Sequence, residues 1–180
     1  MFAPILIGLL VVVACFAIFI STRPGDFKVE RAAAIAAPPS AVFAHVNDFH
    51  KWEAWSPWAK IDPALRTTYD GPPAGTGAVY HWAGNSKVGE GRMTILESRP
   101  GEFIRIKLEF IKPFAATNAT EFNFKPDGHQ TRVTWTMTGA SNFITKAFCL
   151  FKNMDKMVGG DFEKGLAQLK AVAESAGRGG

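Results

Sequence analysis

Three successive segments in the second half of the chain alternate apolar and polar side chains so regularly that they fix the architecture. In Glu102–Ile111, residues Ile104, Ile106, Leu108 and Phe110 share one face, while Arg105, Lys107 and Glu109 take the other. In Ala116–Lys125, Phe122 and Phe124 oppose Glu121 and Asn123; in Gln130–Thr138, Val133, Trp135 and Met137 oppose Arg132, Thr134, Thr136 and Thr138. Successive side chains alternate across a strand, so these segments predict a sheet with one apolar face and one water-compatible face. The apolar face has to be covered. The segment long enough to cover it is the last one, where Ala147, Phe151, Met154, Val158, Phe162, Gly165, Leu169 and Val172 step by three or four along one helical stripe. Gly159-Gly160 interrupts that helix at a cost of ~1 kcal/mol per glycine. Either a kink or a close approach to the sheet or to a ligand is expected there.

The remaining elements follow from turn chemistry. Phe27–Ala36 reads as a first strand, Pro38-Pro39-Ser40 opens a helix bearing Val42, Phe43, Val46 and Phe49, and a second helical turn carries Trp52 and Trp55 up to Pro57. Strands are expected at Arg66–Tyr69, Gly77–Ala83 and Lys87–Ser98, with breaks at Gly71-Pro72-Pro73, Gly84-Asn85, Pro100-Gly101, Lys112-Pro113 and Pro126-Asp127-Gly128. The class is α+β: a curved antiparallel sheet of about seven strands around a long C-terminal helix, with two short helices after the first strand. This domain spans 26–176, and 177–180 form a short glycine-rich tail.

The N-terminal region differs in kind. No charged side chain occurs before Arg23, and the nineteen residues from Phe2 to Ile20 are apolar apart from Pro4 and Gly8. A membrane-spanning helix needs about 20 such residues. A cleaved signal would want a basic leading region and a small-residue cleavage site. A lipoprotein signal would turn polar after Cys15, where Phe16 to Ile20 instead continue the apolar run. An uncleaved single-pass anchor over residues 1–22 is therefore expected. Arg23, Lys28 and Arg31 follow it, which favours a cytoplasmic location for the domain. Cys15 and Cys149 are too few and too differently placed to staple the chain. The 20 Lys+Arg against 16 Asp+Glu give a net charge of +4, a mild excess that does not suggest nucleic-acid binding.

Several stretches resemble the SRPBCC superfamily, which includes the START-like and polyketide cyclase/dehydrase groups. They are Ala37-Pro38-Pro39 with Val42-Phe43, Trp52-x-x-Trp55-Ser56-Pro57-Trp58, Gly89-x-Gly91-Arg92-Met93, Phe122-x-Phe124-x-Pro126-x-Gly128, Thr131-x-Val133-x-Trp135, and the Met154-to-Leu166 helix. The likeness covers Asp26 to about Glu174. It implies a helix-grip fold and an apolar cavity between the sheet and the long helix.

The residues expected to contact a hydrophobic or lipid-like ligand there are Phe110, Phe122, Trp135, Met137, Phe151 and Met154, with Trp55 and Trp82 at the rim. The fifteen Phe and five Trp would equally fill a solid core. For acid–base chemistry of the cyclase/dehydrase kind the candidates are His81, Tyr80, Glu90 and Arg92. That role needs them turned inward; the alternative is a Glu90–Arg92 pair on the outer face. The four histidines show no metal-ligand spacing, no nucleophile elbow or phosphate cradle occurs, and no cofactor is expected. Asn118-Ala119-Thr120 matches a glycosylation sequon inside a strand, a chance match on that placement. Three functions stay open: a tethered binder of a hydrophobic small molecule, an enzyme of the cyclase/dehydrase type, and an interaction module with a filled core.

Overall fold

The computed structural model describes residues 2–22, 26–140 and 154–176, and the side chains at positions 2–5, 9, 13 and 154 lie outside the described set. Helix α1 (Phe2–Ser21) precedes β1 (Asp26–Ile35), α2 (Pro39–Val46) and a 3-10 helix (Phe49–Ala54). Then come β2 (Arg66–Asp70), β3 (Val79–Ala83), β4 (Glu90–Arg99), β5 (Phe103–Lys112), β6 (Ala116–Asp127), β7 (Gln130–Ala140) and α3 (Met154–Ala176). The strands form one antiparallel sheet in the order β1-β7-β6-β5-β4-β3-β2. The chain therefore meanders from β2 to β7 and closes by pairing β7 with the first strand.

Turn chemistry sets the strand ends. Gly101 and Gly128 hold φ of 72° and 59° at the β4–β5 and β6–β7 turns, conformations that cost L side chains steric energy. The fourth strand begins at Glu90 rather than at the expected Lys87. The amides of Val88 and Gly89 are bonded to the Asn85 carbonyl in a local turn, and Gly84 N–H donates to Gly89. The third strand likewise begins at Val79, because Gly77 sits at φ 90° with its amide bonded to Ile95.

Cross-strand register defines the inner face. Phe27, Val29, Arg31, Ala33 and Ile35 of β1 lie opposite Gly139, Met137, Trp135, Val133 and Thr131 of β7. Helix α3 runs along this edge of the sheet in the direction of β1, with Lys170 Nζ donating to the Ala34 carbonyl at 2.7 Å and Glu174 accepting from Ala36 N–H at 2.7 Å. Helix α2 and the 3-10 helix add cover over the neighbouring part of the inner face. Phe43 of α2 meets Phe124 edge-on at 5.6 Å, and Trp52 and Trp55 each meet Phe122 at 6.1 Å.

The glycine pair in α3 has a specific reason. The helix continues through both positions, so no break occurs there. A Cβ on Gly159 would collide with the guanidinium of Arg31, whereas one on Gly160 would meet nothing within 4 Å. Arg31 reaches inward from β1 and donates through Nε to Glu163 (2.7 Å), and through Nη1 and Nη2 to the Asp155 carboxylate (2.9 and 3.0 Å). Its remaining N–H groups go to the backbone carbonyls of Glu30 and Asp155. Of the two expectations, close approach to the sheet is the one realised. The Arg31 contact holds the Asp155 carboxyl below the ordinary aspartate range.

Helix α1 is apolar, with no acidic residue in its first turn and no basic residue in its last. Among the described residues no helix is long and apolar enough to cross a membrane. The expected anchor thus gains no support from the fold. Ala147, Cys149 and Phe151 lie outside the described residues.

Candidate functional site

The inner face of the sheet divides into a filled half and a half-open half. The filled half is an aromatic stack centred on Trp135. Its ring lies parallel to Phe162 at 3.9 Å and 8°, stacks on Phe122 at 4.8 Å, and takes Trp55 and Trp58 edge-on at 5.8 and 5.9 Å. Offset-stacked and edge-to-face arrangements both suit the ring quadrupole. Trp52 and Trp55 satisfy their indole N–H groups on the carbonyls of Val46 and His45. Trp55 is completely buried. It is part of the core and not a rim group, because Asp48 caps the 3-10 helix through His50 N–H and the turn carries Trp55 under the sheet.

The half-open half belongs to β3, β4 and β5. Trp82 lies opposite Gly91, which lies opposite Phe110; Tyr80 lies opposite Met93, which lies opposite Leu108. Tyr80, Trp82, Leu108 and Phe110 are only half-buried. The Trp82 ring rests directly on Gly91, where any Cβ would strike both the ring and the Glu109 carbonyl. Its indole N–H donates to Val88 at 3.1 Å, and Phe110 meets it edge-on at 5.9 Å. Burial, reinforced by Tyr69 and Glu53, pushes the Tyr80 phenol up to about 12, so it is neutral at physiological pH.

Between the two halves, β6 and β7 bring further polar groups to the inner face. Asn118 lies opposite Gly139, and Thr120 opposite Met137. The Asn118 amide fills the space a Cβ on Gly139 would occupy, and its Nδ2 faces the Met137 sulfur at 3.9 Å. Thr120 Oγ1 and Trp135 Nε1 are buried and have no hydrogen-bond partner. Leaving such a group unsatisfied costs about 1–3 kcal/mol. Sequence reasoning set Asn118 and Thr120 aside as a chance sequon. The signal was present, since the alternation that turns Phe122 and Phe124 inward also turns Thr120 and Asn118 inward when continued backwards.

Of the residues expected at a ligand, Phe122, Trp135 and Trp55 belong to the filled half, Trp82 and Phe110 to the half-open one, and Met137 sits buried beside Thr120. Phe151 and the Met154 side chain lie outside the described residues. Of the acid–base candidates only Tyr80 faces inward. His81 points outward to Asp70 at 2.9 Å. Arg92 donates to Glu109 at 2.6 and 3.1 Å, and Glu90 pairs with Lys112 at 2.7 Å. The expected Glu90–Arg92 pair is thus replaced by cross-strand pairs. Residues two apart on one strand are separated by roughly 6.5 Å, while directly opposite Cβ atoms lie about 5 Å apart.

The outer face is polar. An open groove of about 750 Å³ is lined by Lys28, Lys107 and Thr138 of the outer face together with Phe27, Asn118 and Gly139 of the inner register. Leu96 is turned out by the β-bulge between Ile95 and Glu97. Hydrogen bonds from Arg92 and Lys107 hold the Glu109 carboxyl down to about 2. A depressed folded-state value means that this stabilisation is present above the usual glutamate value of 4.5 and is lost as the pH falls towards about 2. Acid titration is expected to lower the urea midpoint across that window, and Glu109→Gln to flatten the change; an unchanged slope in the variant would contradict it. No group of three or more His, Cys, Asp or Glu side chains that could hold a metal ion occurs among the described residues.

The profile of a family described as polyketide cyclase / dehydrase and lipid transport matches residues 26–174. No curated protein matches the sequence. Solved structures share the fold at low identity. A protein of unknown function, SA2116 from Staphylococcus aureus, superposes with a TM-score of 0.64 at 12% identity, covering 85% of this chain and 96% of its own. CV1439 from Chromobacterium violaceum gives 0.57 at 18%, covering 82% and 96%. Mll3558 from Rhizobium loti gives 0.56 at 20%, with the same coverages.

Proposed function

The chain belongs to the polyketide cyclase/dehydrase and lipid transport family, and from that premise we propose that it binds a hydrophobic or lipid-like small molecule on the inner face of the sheet. The observation that carries this reading is the half-buried apolar surface of Tyr80, Trp82, Leu108 and Phe110 beside buried polar atoms that lack partners. A finished core would close that surface and satisfy those atoms. The outward placement of His81, Glu90 and Arg92 favours binding over cyclase-type proton transfer by these groups.

The reading extends to a tether. The apolar α1 would hold the domain at a membrane with its soluble part on the cytoplasmic side, the cations after the apolar run supplying the orientation. Alkaline extraction of membranes tests the tether: α1 is expected to keep the full chain in the pellet, and release into the supernatant would refute it. Binding is tested on delipidated full-length protein with a fluorescent fatty-acyl probe and by mass spectrometry of copurifying small molecules. Saturable probe binding is expected. A protein that takes up no probe and carries no small molecule would refute the binding reading.

A further inference from the structure

From the two unpartnered polar atoms on the inner face we infer the chemical class of the guest: an electrically neutral hydrophobe whose single oxygen, hydroxyl or carbonyl, is held by Thr120 and Trp135. This rests on the reading that the inner face of the sheet takes a ligand.

Thr120 and Trp135 occupy adjacent strands, and both face inward. Thr120 lies opposite Met137, and Trp135 precedes Met137 by two residues on the same face, so the two side chains are diagonal neighbours. The indole N–H can only donate, while the threonine hydroxyl can donate or accept. Both are buried and without partners. A hydroxyl or carbonyl oxygen is the group that completes the pair, because it accepts from the indole and exchanges a hydrogen bond with the hydroxyl. A hydrocarbon would leave both groups as they are. Met137, the neighbour they share, has an unbranched thioether side chain that repacks readily, and it is the side chain an entering oxygen would displace.

The charge of the guest follows from the cations on this face. Among the described inward-facing residues of the sheet the one cation is Arg31. Its five N–H groups are all engaged, on Asp155, Glu163 and the backbone of Glu30 and Asp155. A carboxylate or phosphate brought beside Thr120 would find no free counter-ion among these residues, and burying an unpaired charge is far more costly than burying a hydroxyl.

Tetradecanol, tetradecane and tetradecanoate have equal chain lengths and differ only at the head, so their displacement of a bound fluorescent probe isolates the head group. The full chain is expected to take tetradecanol in preference to the other two. Thr120→Val and, independently, Trp135→Phe are each expected to weaken tetradecanol about three- to tenfold, the loss of one hydrogen bond, and to leave tetradecane unchanged. The melting temperature of Thr120→Val should stay level or rise, since an orphaned hydroxyl is removed, which separates a ligand contact from a purely structural role. Tetradecanoate binding as tightly as the alcohol, or variants that bind the alcohol as the parent does, would overturn the inference while leaving the binding reading intact. No displacement by any of the three, with the probe itself unbound, would overturn both.

Discussion

Trp135→Ala is expected to destabilise the domain by about 3–5 kcal/mol, the range for removing a large buried aromatic. Trp135 is only 2% exposed and sits at the centre of the stack formed by Phe122, Phe162, Trp55 and Trp58. Truncation removes the shared partner of four rings drawn from β6, α3 and the turn after the 3-10 helix. Four rings would have to move together to fill the void, so it does not close by a small local shift. Approach of the helix depends on the same ring, because a Cβ on Gly165 would come within 2.8 Å of Trp135 Cζ3 and 3.1 Å of Pro57 Cδ. For a domain of this size a loss of that magnitude corresponds to a fall of roughly 6–20 °C in melting temperature. A fall of less than about 2 °C, in a variant that retains its near-ultraviolet spectrum, would show that the stack is not the centre of the fold.

Gly91→Val is expected to cost about 2–3 kcal/mol, at the upper end for overpacking, and to abolish binding of a hydrophobic probe. On strand propensity alone valine should be the better residue, so the prediction runs against the local preference. Any Cβ at this position would strike the Trp82 ring and the Glu109 carbonyl. The carbonyl is backbone in the neighbouring strand, so the β4–β5 pair has to shift at this point, and the Trp82 ring has to leave as well. Doing so breaks its hydrogen bond to Val88 and its edge contact with Phe110, and the mouth of the half-open side loses its wall. Urea unfolding and probe titration measure the two effects separately. A variant with parental stability and parental affinity would mean that Trp82 has another place to go and does not shape the site.

Much of this arrangement was legible in the residues, and the rest was hidden for definite reasons. Alternation in β5, β6 and β7 identified the inner face because consecutive apolar positions repeat without error from Ile104 to Phe110 and from Val133 to Met137. Gly101 and Gly128 marked their turns because few other residues tolerate that φ. What alternation does not reveal is where a helix lies across a sheet. The placement of α3 along β1 depends on Arg31, which looks like an ordinary charged strand residue until Asp155, Glu163 and the gap at Gly159 come together around it. The polar spot at Thr120 was hidden differently. A threonine in a strand reads as a neutral filler, and only its register with Met137 places it inside. The tryptophans were readable as aromatic mass but not as core or rim, since the single-turn geometry after Asp48 decides that.

Residue-level photocrosslinking measures the central claim most directly, with a diazirine-bearing long-chain alcohol and the purified full chain. Tyr80 and His81, and likewise Lys107 and Leu108, are sequence neighbours on opposite faces of the sheet. Binding on the inner face is expected to label Tyr80, Leu108 and Met137 and to spare His81 and Lys107. Labelling of His81 and Lys107, with the inner-face residues unmodified, would place the ligand on the outer face and contradict the account.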